Sequence, residues 1–423
     1  MMKFQSIKGT KDILPDEIHQ WHYVERTVRG IFERFGYREI RTPIFEETAL
    51  FQRGIGETTD IVGKEMYSFQ PDPDAESLTL RPEMTASVIR AYLQHNLAMR
   101  APLTKVYYIA ELFRKERPQA GRQRQFWQFG CECIGSAEPE SDAEVIALMM
   151  TIYRELGVRQ TVLRLNSLGN ADTRKAYREV LREYLRPHYE RLDAVSKERF
   201  EKNPLRILDS KNPELQELIA HAPRIVDYLD EASQAHFQAV QNFLTAFGID
   251  FTIDHRLVRG LDYYSRTAFE LQSSDLGAQD ALGGGGRYDA LASLLGSEKP
   301  VPAVGFASGV ERLLIAMQKQ HLLEPAQAPA PTVMIVAQSE SARDWTIHAA
   351  QLFRKEGIAT EVDLLRRSLK AQLREANRLN AKYVVIAGEN ELQSGQFQLK
   401  NLRTGEQQAL LLIEILQKIK VEK

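Results

Sequence analysis

A stretch rich in proline and alanine, residues 320–332, divides this sequence of 423 residues into a long first part and a short second part. In the second part, apolar runs at 333–337 and 383–387 alternate with helical patterns. Such a β-α-β rhythm is typical of a small α/β domain with a partly parallel sheet. We therefore predict two domains, 1–325 and 331–423, of which the second is α/β.

Composition narrows the class of protein. Hydrophobic residues make up 43% of the chain and charged residues 26%, as in ordinary globular domains. The formal net charge of -2 argues against a protein that coats nucleic acid through general positive charge. The nine histidines and two cysteines show no metal-ligand spacing, so we predict no metal site built from protein side chains.

The features of membrane and secreted proteins are also missing from the sequence. It has no run of about 18 apolar residues, the length that a spanning helix requires. Cys131 and Cys133 are separated by one residue on a predicted strand and are poorly placed to bridge each other. A reducing compartment suits such a pair. We expect a cytoplasmic protein with no membrane partner.

In the first part, helical and strand patterns are mixed. Residues 16–36 have apolar side chains at helical spacing, and residues 37–46 resemble a strand interrupted by Pro43, which is typical of an edge or an interface. Residues 169–246 are charged and helical, and strand patterns return at 267–272. We therefore predict that 169–246 form a helical insertion between strands.

A strongly basic loop joins two predicted strands, 105–113 and 123–134. Five lysines and arginines lie between Arg114 and Arg124, both included. Guanidinium groups can fork onto phosphate oxygens in pairs, so this loop suits a polyphosphate. On charge alone, a solvated surface loop is the more common explanation.

The second of these strands has two distinct faces, because alternate side chains of a strand point to opposite sides of its sheet. We predict that one face packs in a core. The other face lines a pocket, because a buried carboxylate and a buried amide need polar partners. The core face carries Trp127, Phe129, Cys131 and Cys133, and the pocket face carries Phe126, Gln128, Gly130 and Glu132.

Motifs along the whole chain resemble those of one enzyme family. Residues 37–46, 114–126 and 305–313 are similar to motifs 1, 2 and 3 of class II aminoacyl-tRNA synthetases. Residues 259–264 and 285–289 resemble the two histidine-specific motifs of the histidyl-tRNA synthetase family. The motifs occur in the order that the family shows. A single motif would be weak support, whereas an ordered series is strong support.

The resemblance implies a fold. The first domain would be an α+β catalytic domain built on an antiparallel sheet flanked by helices, with the helical insertion at about 169–246. The second domain would be an α/β anticodon-binding domain. Motif 1 supplies a subunit interface in this class, so the resemblance also implies a homodimer.

The resemblance implies an activity as well. The family ligates L-histidine to its tRNA, tRNA(His), with ATP through a histidyl-adenylate, releasing AMP and pyrophosphate. We expect Mg²⁺ to accompany ATP, because three phosphates carry more charge than a few arginines neutralise. Formation of the adenylate is an attack on crowded negative charge, which needs positioning and positive electrostatics more than covalent help.

Arg259 and Arg114 are the catalytic residues that the resemblance implies, both at the α-phosphate. From the residues alone, a core ion pair of Arg259 with Asp262 or another carboxylate is the alternative. The other implied ATP ligands are Glu116 at adenine, Phe126 stacked on adenine, Arg312 on its other face or at the γ-phosphate, and Arg122 or Arg124 at the distal phosphates.

Histidine recognition needs an acceptor for the ammonium group and a partner for a ring that both donates and accepts a hydrogen bond. Residues of these types also have ordinary structural roles: tyrosines pack in a core, and the Glu83 carboxylate could lie at a helix N-terminus. The residues implied for this role are Glu83, Thr85 and Gln128 near the α-amino group, Glu132 and Tyr264 at the imidazole, and Tyr263 and Tyr288 along the pocket.

The second domain carries a row of basic residues, Arg366, Lys370, Arg374 and Arg378, spaced by four. That spacing predicts one helix face. Such a row is usually a solvated face, but in an anticodon-binding domain it implies contact with tRNA, through the backbone and splayed bases.

Three other functions compete with this interpretation. They are the regulatory subunit of ATP phosphoribosyltransferase, a non-catalytic RNA-sensing module, and a synthetase for another amino acid. The presence of Arg114, Arg259 and Arg312 together with the second domain argues against the first, and the intact pocket residues argue against the second. Glu132 and Tyr264 argue for histidine.

Overall fold

The structure, a computed structural model, describes residues 4–56, 59–119, 121–323 and 330–421, without the side chains of residues 278 and 279. The chain forms two compact units, Met1–Glu324 and Pro325–Lys423. The predicted proline-rich and alanine-rich stretch at 320–332 lies partly outside the described residues.

The first unit contains both helices and strands. None of the helices in the described part of the chain is long and apolar enough to cross a bilayer. The helices of this unit are α1 (Ile18–Arg34), α2 (Thr48–Ile55), α3 (Thr85–Gln94), α4 (Pro139–Glu155), α5 (Ala171–Leu185), α6 (Ala194–Lys202), α7 (Gln216–Ala220), α8 (Glu231–Ala246), α9 (Leu291–Leu294) and α10 (Val310–Lys319). Its strands are β1 (Arg38–Glu39), β2 (Phe45–Glu47), β3 (Tyr67–Phe69), β4 (Leu78–Leu80), β5 (Thr104–Phe113), β6 (Gln125–Ile134), β7 (Thr161–Ser167), β8 (Thr252–Ile253), β9 (Ser265–Ser273), β10 (Ala281–Arg287) and β11 (Ala303–Gly309).

The main sheet has the strand order β1-β5-β6-β11-β10-β9-β7-β8. Its six inner strands pair antiparallel, and only the two-residue edge strands β1 and β8 pair parallel to their neighbours. A smaller sheet has the order β2-β4-β3. The predicted antiparallel sheet flanked by helices is therefore confirmed.

Strand β6 has the two faces that its alternation predicts. Phe129, Cys131 and Cys133 are buried in a core that also contains apolar side chains of α1, α4 and α10. Both cysteines are free thiols. On the opposite face, Phe126 packs against a second apolar cluster that includes Tyr108 and side chains of α3. The sheet is thus covered on both faces, and the second face carries the polar residues.

The segment around motif 1 differs from its prediction. Residues 37–46 do not form one interrupted strand: β1 lies at the edge of the main sheet, whereas β2 belongs to the small sheet. Pro43 lies between them, where its ring fixes φ and its missing N–H removes a ladder bond. The predicted helix before this segment is confirmed as α1, which buries the apolar side chains Trp21, Val24, Val28, Ile31 and Phe32.

The predicted insertion is helical, but it does not pack as one body. Tyr177 and Leu181 of α5 join the cluster that contains Tyr263 and Tyr264. Helix α8 instead buries Phe237, Val240 and Leu244 in the core with α4. The last helix of 169–246 therefore belongs to the packing of the sheet, and the earlier helices cover the segment before β9.

The glycine run forms the central strand β10. A Cβ at Gly285 would lie 1.9 Å from the carbonyl oxygen of Gly305 on the neighbouring β11. The glycines therefore allow β10 and β11 to approach each other closely. The short helix α9 begins at Leu291.

The second unit is the predicted α/β domain. Its sheet has the order β13-β12-β14-β15-β16, with β12 parallel to both β13 and β14. The strands β15 and β16 continue the sheet antiparallel. Its elements are β12 (Val333–Ala337), α11 (Ser341–Lys355), β13 (Thr360–Val362), α12 (Leu369–Arg378), β14 (Tyr383–Ala387), α13 (Glu389–Ser394), β15 (Gln396–Asn401), β16 (Gln407–Leu411) and α14 (Leu412–Val421).

The predicted row of four basic residues on one helix is wrong at its first member. Helix α12 begins at Leu369, and Arg366 lies before it with a left-handed φ of 54°. Lys370, Arg374 and Arg378 do share the helix. The spacing of four therefore continued beyond the helix start, which sequence periodicity alone did not reveal.

We predict opposite effects for two glycine substitutions. Gly285→Ala should lower the free energy of unfolding by about 2 kcal/mol or more, because the new methyl group meets backbone atoms that cannot rotate away. Gly30→Ala, in α1 with no neighbouring atom within 4 Å of the new carbon, should raise it by about 0.5–1 kcal/mol. Urea denaturation followed by circular dichroism measures both. Equal losses of stability would contradict the account of the sheet.

Candidate active site

A cavity of about 330 Å³ lies in the first unit, against β6, β10 and β11. Its lining contains most of the residues that were predicted from the sequence to bind ATP or histidine. Glu132 and Arg124 are the two nominated residues of this unit that are not part of the lining. Those that line it are Glu83, Thr85, Arg114, Glu116, Arg122, Phe126, Gln128, Arg259, Tyr263, Tyr264, Tyr288 and Arg312.

The strand pair β5–β6 and its loop position two arginines at the cavity. The Nε of Arg114 donates to the carbonyl of Pro82 at 2.9 Å, and its guanidinium lies 5.3 Å from the centre of the Phe126 ring. The Nη1 of Arg122 lies 3.0 Å from a carboxylate oxygen of Glu116. Arg114 is therefore fixed by backbone and ring, whereas Arg122 is held by an ion pair.

Arg312 reaches the same cavity from α10. Its Nε donates to the carbonyl of Gly121 at 2.9 Å, and its Nη1 donates to the carbonyl of Ala281 at 2.8 Å. Burial lowers the pKa of Arg312, and the nearby charges of Arg122 and Arg114 lower it further. A bound anion would relieve this repulsion among three guanidinium groups.

Arg259 lies on the segment before β9 and forms an ion pair inside the cavity. Its Nη1 is 2.6 Å from a carboxylate oxygen of Glu270 on β9, which is an ion pair with another carboxylate, as the alternative allowed. Burial opposes its charge, but Tyr264 and Glu270 outweigh that effect and the pKa of Arg259 is raised. A Cβ at Gly284 would lie 2.8 Å from Nη1, so glycine makes room for the guanidinium.

Glu83 marks the start of α3. Its two carboxylate oxygens accept the backbone N–H groups of Thr85 at 2.7 Å and Ala86 at 2.8 Å. Burial raises its pKa. The carboxylate therefore stabilises a helix N-terminus, as the alternative proposed, while it also faces the cavity.

Glu132 is buried behind the lining, with 1% of its surface exposed. Its carboxylate accepts the hydroxyls of Tyr288, of Thr85 at 2.8 Å and of Tyr108 at 3.4 Å. Burial raises the pKa of Glu132 to about 8. A Cβ at Gly305 would lie 1.8 Å from this carboxylate, so the strand β11 has room for Glu132 only because of a glycine.

The tyrosines of the two histidine-specific motifs pack beside one another at this end. The ring centres of Tyr263 and Tyr264 are 4.7 Å apart, and those of Tyr263 and Tyr288 are 5.6 Å apart. Their buried hydroxyls have raised pKa values because burial disfavours the phenolate. This end of the cavity therefore offers neutral hydroxyl groups as hydrogen-bond donors and acceptors.

Arg124 points to another place. Its backbone N–H donates to the carbonyl of Gly9 at 2.6 Å, and a Cβ at Gly9 would lie 2.8 Å from the Cγ of Arg124. Its Nε is 3.4 Å from the carbonyl of Glu116. The structure thus separates Arg122, which lines the cavity, from Arg124, which packs beside the turn at residues 8–10.

Sequence reasoning missed several residues of the lining. Glu270 and Tyr108 lie opposite Gly284 and Gly130 on neighbouring strands, so only the strand register reveals them. Glu311 follows the glycines of motif 3. Its carboxylate accepts the N–H of Trp127 at 2.9 Å, and burial raises its pKa to about 7. A glutamate directly before Arg312 was a signal that could have been used.

In the ranges that the structure describes, no three His, Cys, Asp or Glu side chains are grouped so as to hold a metal ion.

The basic residues at the ends of the row in the second unit have carboxylates nearby. On α12, Arg378 is ion-paired with Glu375 at 2.6 Å. Before α12, Arg366 lies 3.6 Å from Glu340.

Comparison with known proteins decides the family. A model described as histidyl-tRNA synthetase matches residues 9–313, and one described as an anticodon binding domain matches residues 332–422. The chain belongs to the histidyl-tRNA synthetase family. As a member, it is a class II aminoacyl-tRNA synthetase, a ligase that attaches histidine to tRNA(His) with ATP as a substrate.

Relatives extend over the whole chain. It is 67% identical over 421 residues to a histidine–tRNA ligase of Chloroherpeton thalassium, covering 100% of this chain and 99% of the relative. Identity to one of Chlorobium limicola is 57%, covering 99% and 98%. The crystal structure of apo histidyl-tRNA synthetase from S. aureus matches with a TM-score of 0.81 and 35% identity, covering 99% of this chain and all of that one. The family's activity thus argues against the regulatory-subunit and RNA-sensing alternatives.

The Glu132 carboxyl generates a prediction about pH. Between the ordinary glutamate pKa of about 4.3 and its raised value of about 8, the folded chain holds one proton more than the unfolded chain at this residue. The free energy of unfolding should therefore fall by about 1.4 kcal/mol per pH unit through this window because of Glu132. Glu132→Gln should remove that contribution.

Urea denaturation at several values between pH 5 and 7.5 measures the slope. Glu190→Gln, at a position with an 88% exposed side chain, is the matched control and should keep the original slope. A Glu132→Gln variant with the slope of the unmodified chain would contradict the prediction.

Proposed function

We propose that this cavity activates histidine with ATP, and that Arg259 and Arg114 are its catalytic residues. The observation that carries the proposal is the convergence of four guanidinium groups, those of Arg114, Arg122, Arg259 and Arg312, on one cavity beside a group of tyrosine hydroxyls. The first set suits a polyphosphate. The second suits a ring that both donates and accepts hydrogen bonds.

In the first step, a carboxylate oxygen of histidine attacks the α-phosphorus of ATP and pyrophosphate leaves. Charge accumulates on the α-phosphate oxygens in the transition state. Arg259 and Arg114 donate hydrogen bonds to these oxygens, where fixed positive charge counts most. In the second step, a ribose hydroxyl of the tRNA attacks the carbonyl carbon of the adenylate, and AMP leaves.

The lining supports the remaining ATP contacts. Phe126, whose ring already packs against Arg114, stacks on adenine. Glu116 approaches the base. Arg312 and Arg122 take the distal phosphates. Because Arg124 does not line the cavity, we assign this role to Arg122 rather than to Arg124.

Histidine occupies the end of the cavity with the tyrosines. Glu83, Thr85 and Gln128 receive its ammonium group. Tyr264 and Glu132 recognise the imidazole, with a ring N–H replacing one of the hydroxyls at the Glu132 carboxylate. A site that leaves its own buried groups unpaired without the ring rejects apolar analogues. Tyr263 and Tyr288 form the wall.

We propose that Mg²⁺ enters with ATP. This ion usually takes most of its ligands from phosphates and water and only one or two from carboxylates, so it does not need a preformed cluster. The lining carboxylates Glu270 and Glu311 fit that role. Bound there, the ion would neutralise charge on the phosphates.

The wider assignments are also proposals. Residues 1–325 form the catalytic domain and 331–423 the anticodon-binding domain, which the two compact units and the two family matches support. A homodimer through motif 1 is supported by the exposed Ile44 and Phe45 beside a groove of about 650 Å³. Two buried free thiols support a cytoplasmic location.

The second unit contacts tRNA through the basic side chains of α12 and the preceding turn, which are Arg366, Lys370, Arg374 and Arg378. Lys370 and Arg374 are the centre of this surface. Arg378 and Arg366 have carboxylates nearby, so they contribute less charge to it. Phosphate contacts of this kind position the nucleic acid.

Replacement of Arg259 tests the catalytic role. Arg259→Ala should lower kcat of histidine-dependent ATP–pyrophosphate exchange by roughly 10²–10³, as for loss of one transition-state donor. Arg256→Ala is the control, because Arg256 lies three residues earlier, is 43% exposed and pairs with Asp254 at 3.2 Å. Exchange that is unchanged in Arg259→Ala would refute the role.

Replacement of two basic residues tests the tRNA surface. Lys370→Ala combined with Arg374→Ala should raise KM for tRNA(His) severalfold and leave histidine–ATP activation unchanged, because the second unit has its own core. Arg354→Ala, on α11 of the same unit, should have no effect on either. Aminoacylation and exchange assays measure the two steps. An equal loss of both steps would count against separate roles.

A further inference from the structure

Residues 258–264 carry Arg259, Tyr263 and Tyr264, but they form neither a helix nor a strand. A segment without its own ladder of backbone bonds depends on outside groups for its position. The groups that contact it come largely from the helical insertion. This dependence gives the insertion a part in the chemistry of the cavity.

The first contact comes from α5. The Nη1 of Arg174 donates to the carbonyl of Tyr264 and lies 3.3 Å from the carbonyl of Asp262. Arg174 therefore fixes the two ends of the three-residue stretch that contains Tyr263. Burial and the nearby charge of Arg178 lower the pKa of Arg174, so a charged side chain at this position costs free energy.

The second and third contacts come from the turn after α6. The Nδ2 of Asn203 donates to a carboxylate oxygen of Asp262 at 3.1 Å, and Asn203 is 7% exposed. The Nη2 of Arg206 lies 3.5 Å from the carbonyl of Gly260, the residue after Arg259. Insertion side chains thus contact residues on both sides of Leu261.

Helix α6 and the turn after it also contact the residues that follow α2. Arg206 and Arg199 lie 3.5 and 3.7 Å from a carboxylate oxygen of Asp60. Asp60 directly precedes Ile61, which lines the cavity. In addition, the N–H of Asp262 donates to the carbonyl of Ile55 at 3.1 Å. The insertion, the segment 258–264 and the residues after α2 therefore form one connected set of contacts.

We propose that Arg174, Asn203 and Arg206 of the insertion are positioning residues for the adenylation step. They hold the backbone around Arg259 so that its guanidinium meets the α-phosphate, and they touch no substrate themselves. Displacement of a catalytic group by about 1 Å can cost as much as 10²-fold in rate. This inference rests on the role proposed for Arg259.

The first experiment uses the full chain with single substitutions. Asn203→Ala and Arg174→Ala should each lower kcat of histidine-dependent ATP–pyrophosphate exchange about tenfold at saturating histidine, with a smaller change in KM for ATP. The matched control is Arg182→Ala. Arg182 also lies on α5, but it donates hydrogen bonds to Glu179 and to the carbonyl of Glu201, within the insertion. The kcat of Arg182→Ala should stay within twofold of that of the unmodified chain.

A double-mutant cycle separates positioning from a general loss of structure. If Asn203 acts through Arg259, then Asn203→Ala should cost less than twofold in kcat when Arg259→Ala is already present. A full tenfold cost in that background would overturn the inference and leave the role of Arg259 intact. Normal kcat in Arg259→Ala alone would overturn both.

Thermal unfolding completes the design. If Arg174→Ala lowers the melting temperature strongly, the milder Asn203→Ala carries the test, with its melting temperature compared with that of Arg182→Ala. Lowered kcat in Asn203→Ala with a melting temperature equal to the control supports the inference. Unchanged kcat in Asn203→Ala refutes it.

Discussion

The close approach of three glycine-containing strands is the constraint on which this active site depends. On β6, β10 and β11, glycines stand where any side chain would collide with a neighbouring backbone or with a functional group. Gly305 leaves space for the Glu132 carboxylate, and Gly284 leaves space for the Arg259 guanidinium. The floor of the cavity is therefore made of backbone. Charged groups can lie deep in the sheet because nothing else fills that volume.

Electrostatics divides the cavity into two ends. At one end, burial and the nearby charges of Arg122 and Arg114 lower the pKa of Arg312. At the other, a buried carboxyl group is surrounded by three hydroxyls, with burial raising its pKa. One end has an excess of positive charge, and the other has hydroxyl groups and buried carboxyl groups. This difference orients a substrate pair that consists of a polyphosphate and an amino acid.

Much of this arrangement could be predicted from the sequence, because motif residues lie on elements with strong patterns. The alternation of β6 correctly separated Phe129 from Gln128, and most nominated residues line one cavity. Periodicity failed where chain geometry changes within a few residues. It placed Arg366 on α12 and joined β1 to β2 across Pro43. Glu270 and Tyr108 escaped notice because their proximity to the site depends on strand register, which a single sequence does not show.

Backbone hydrogen bonds join the end of β7 to the start of β9, and this pairing affects how the chain folds. The N–H of Leu168 donates to the carbonyl of Arg266, and the N–H of Arg266 donates to the carbonyl of Gly169. The chain segment between β7 and β9 therefore begins and ends at residues that are hydrogen-bonded to each other. Closing such a long loop is entropically costly in a disordered chain. Early compaction of α5, α6 and α7 would shorten the effective loop and speed the search by which the two strands find each other.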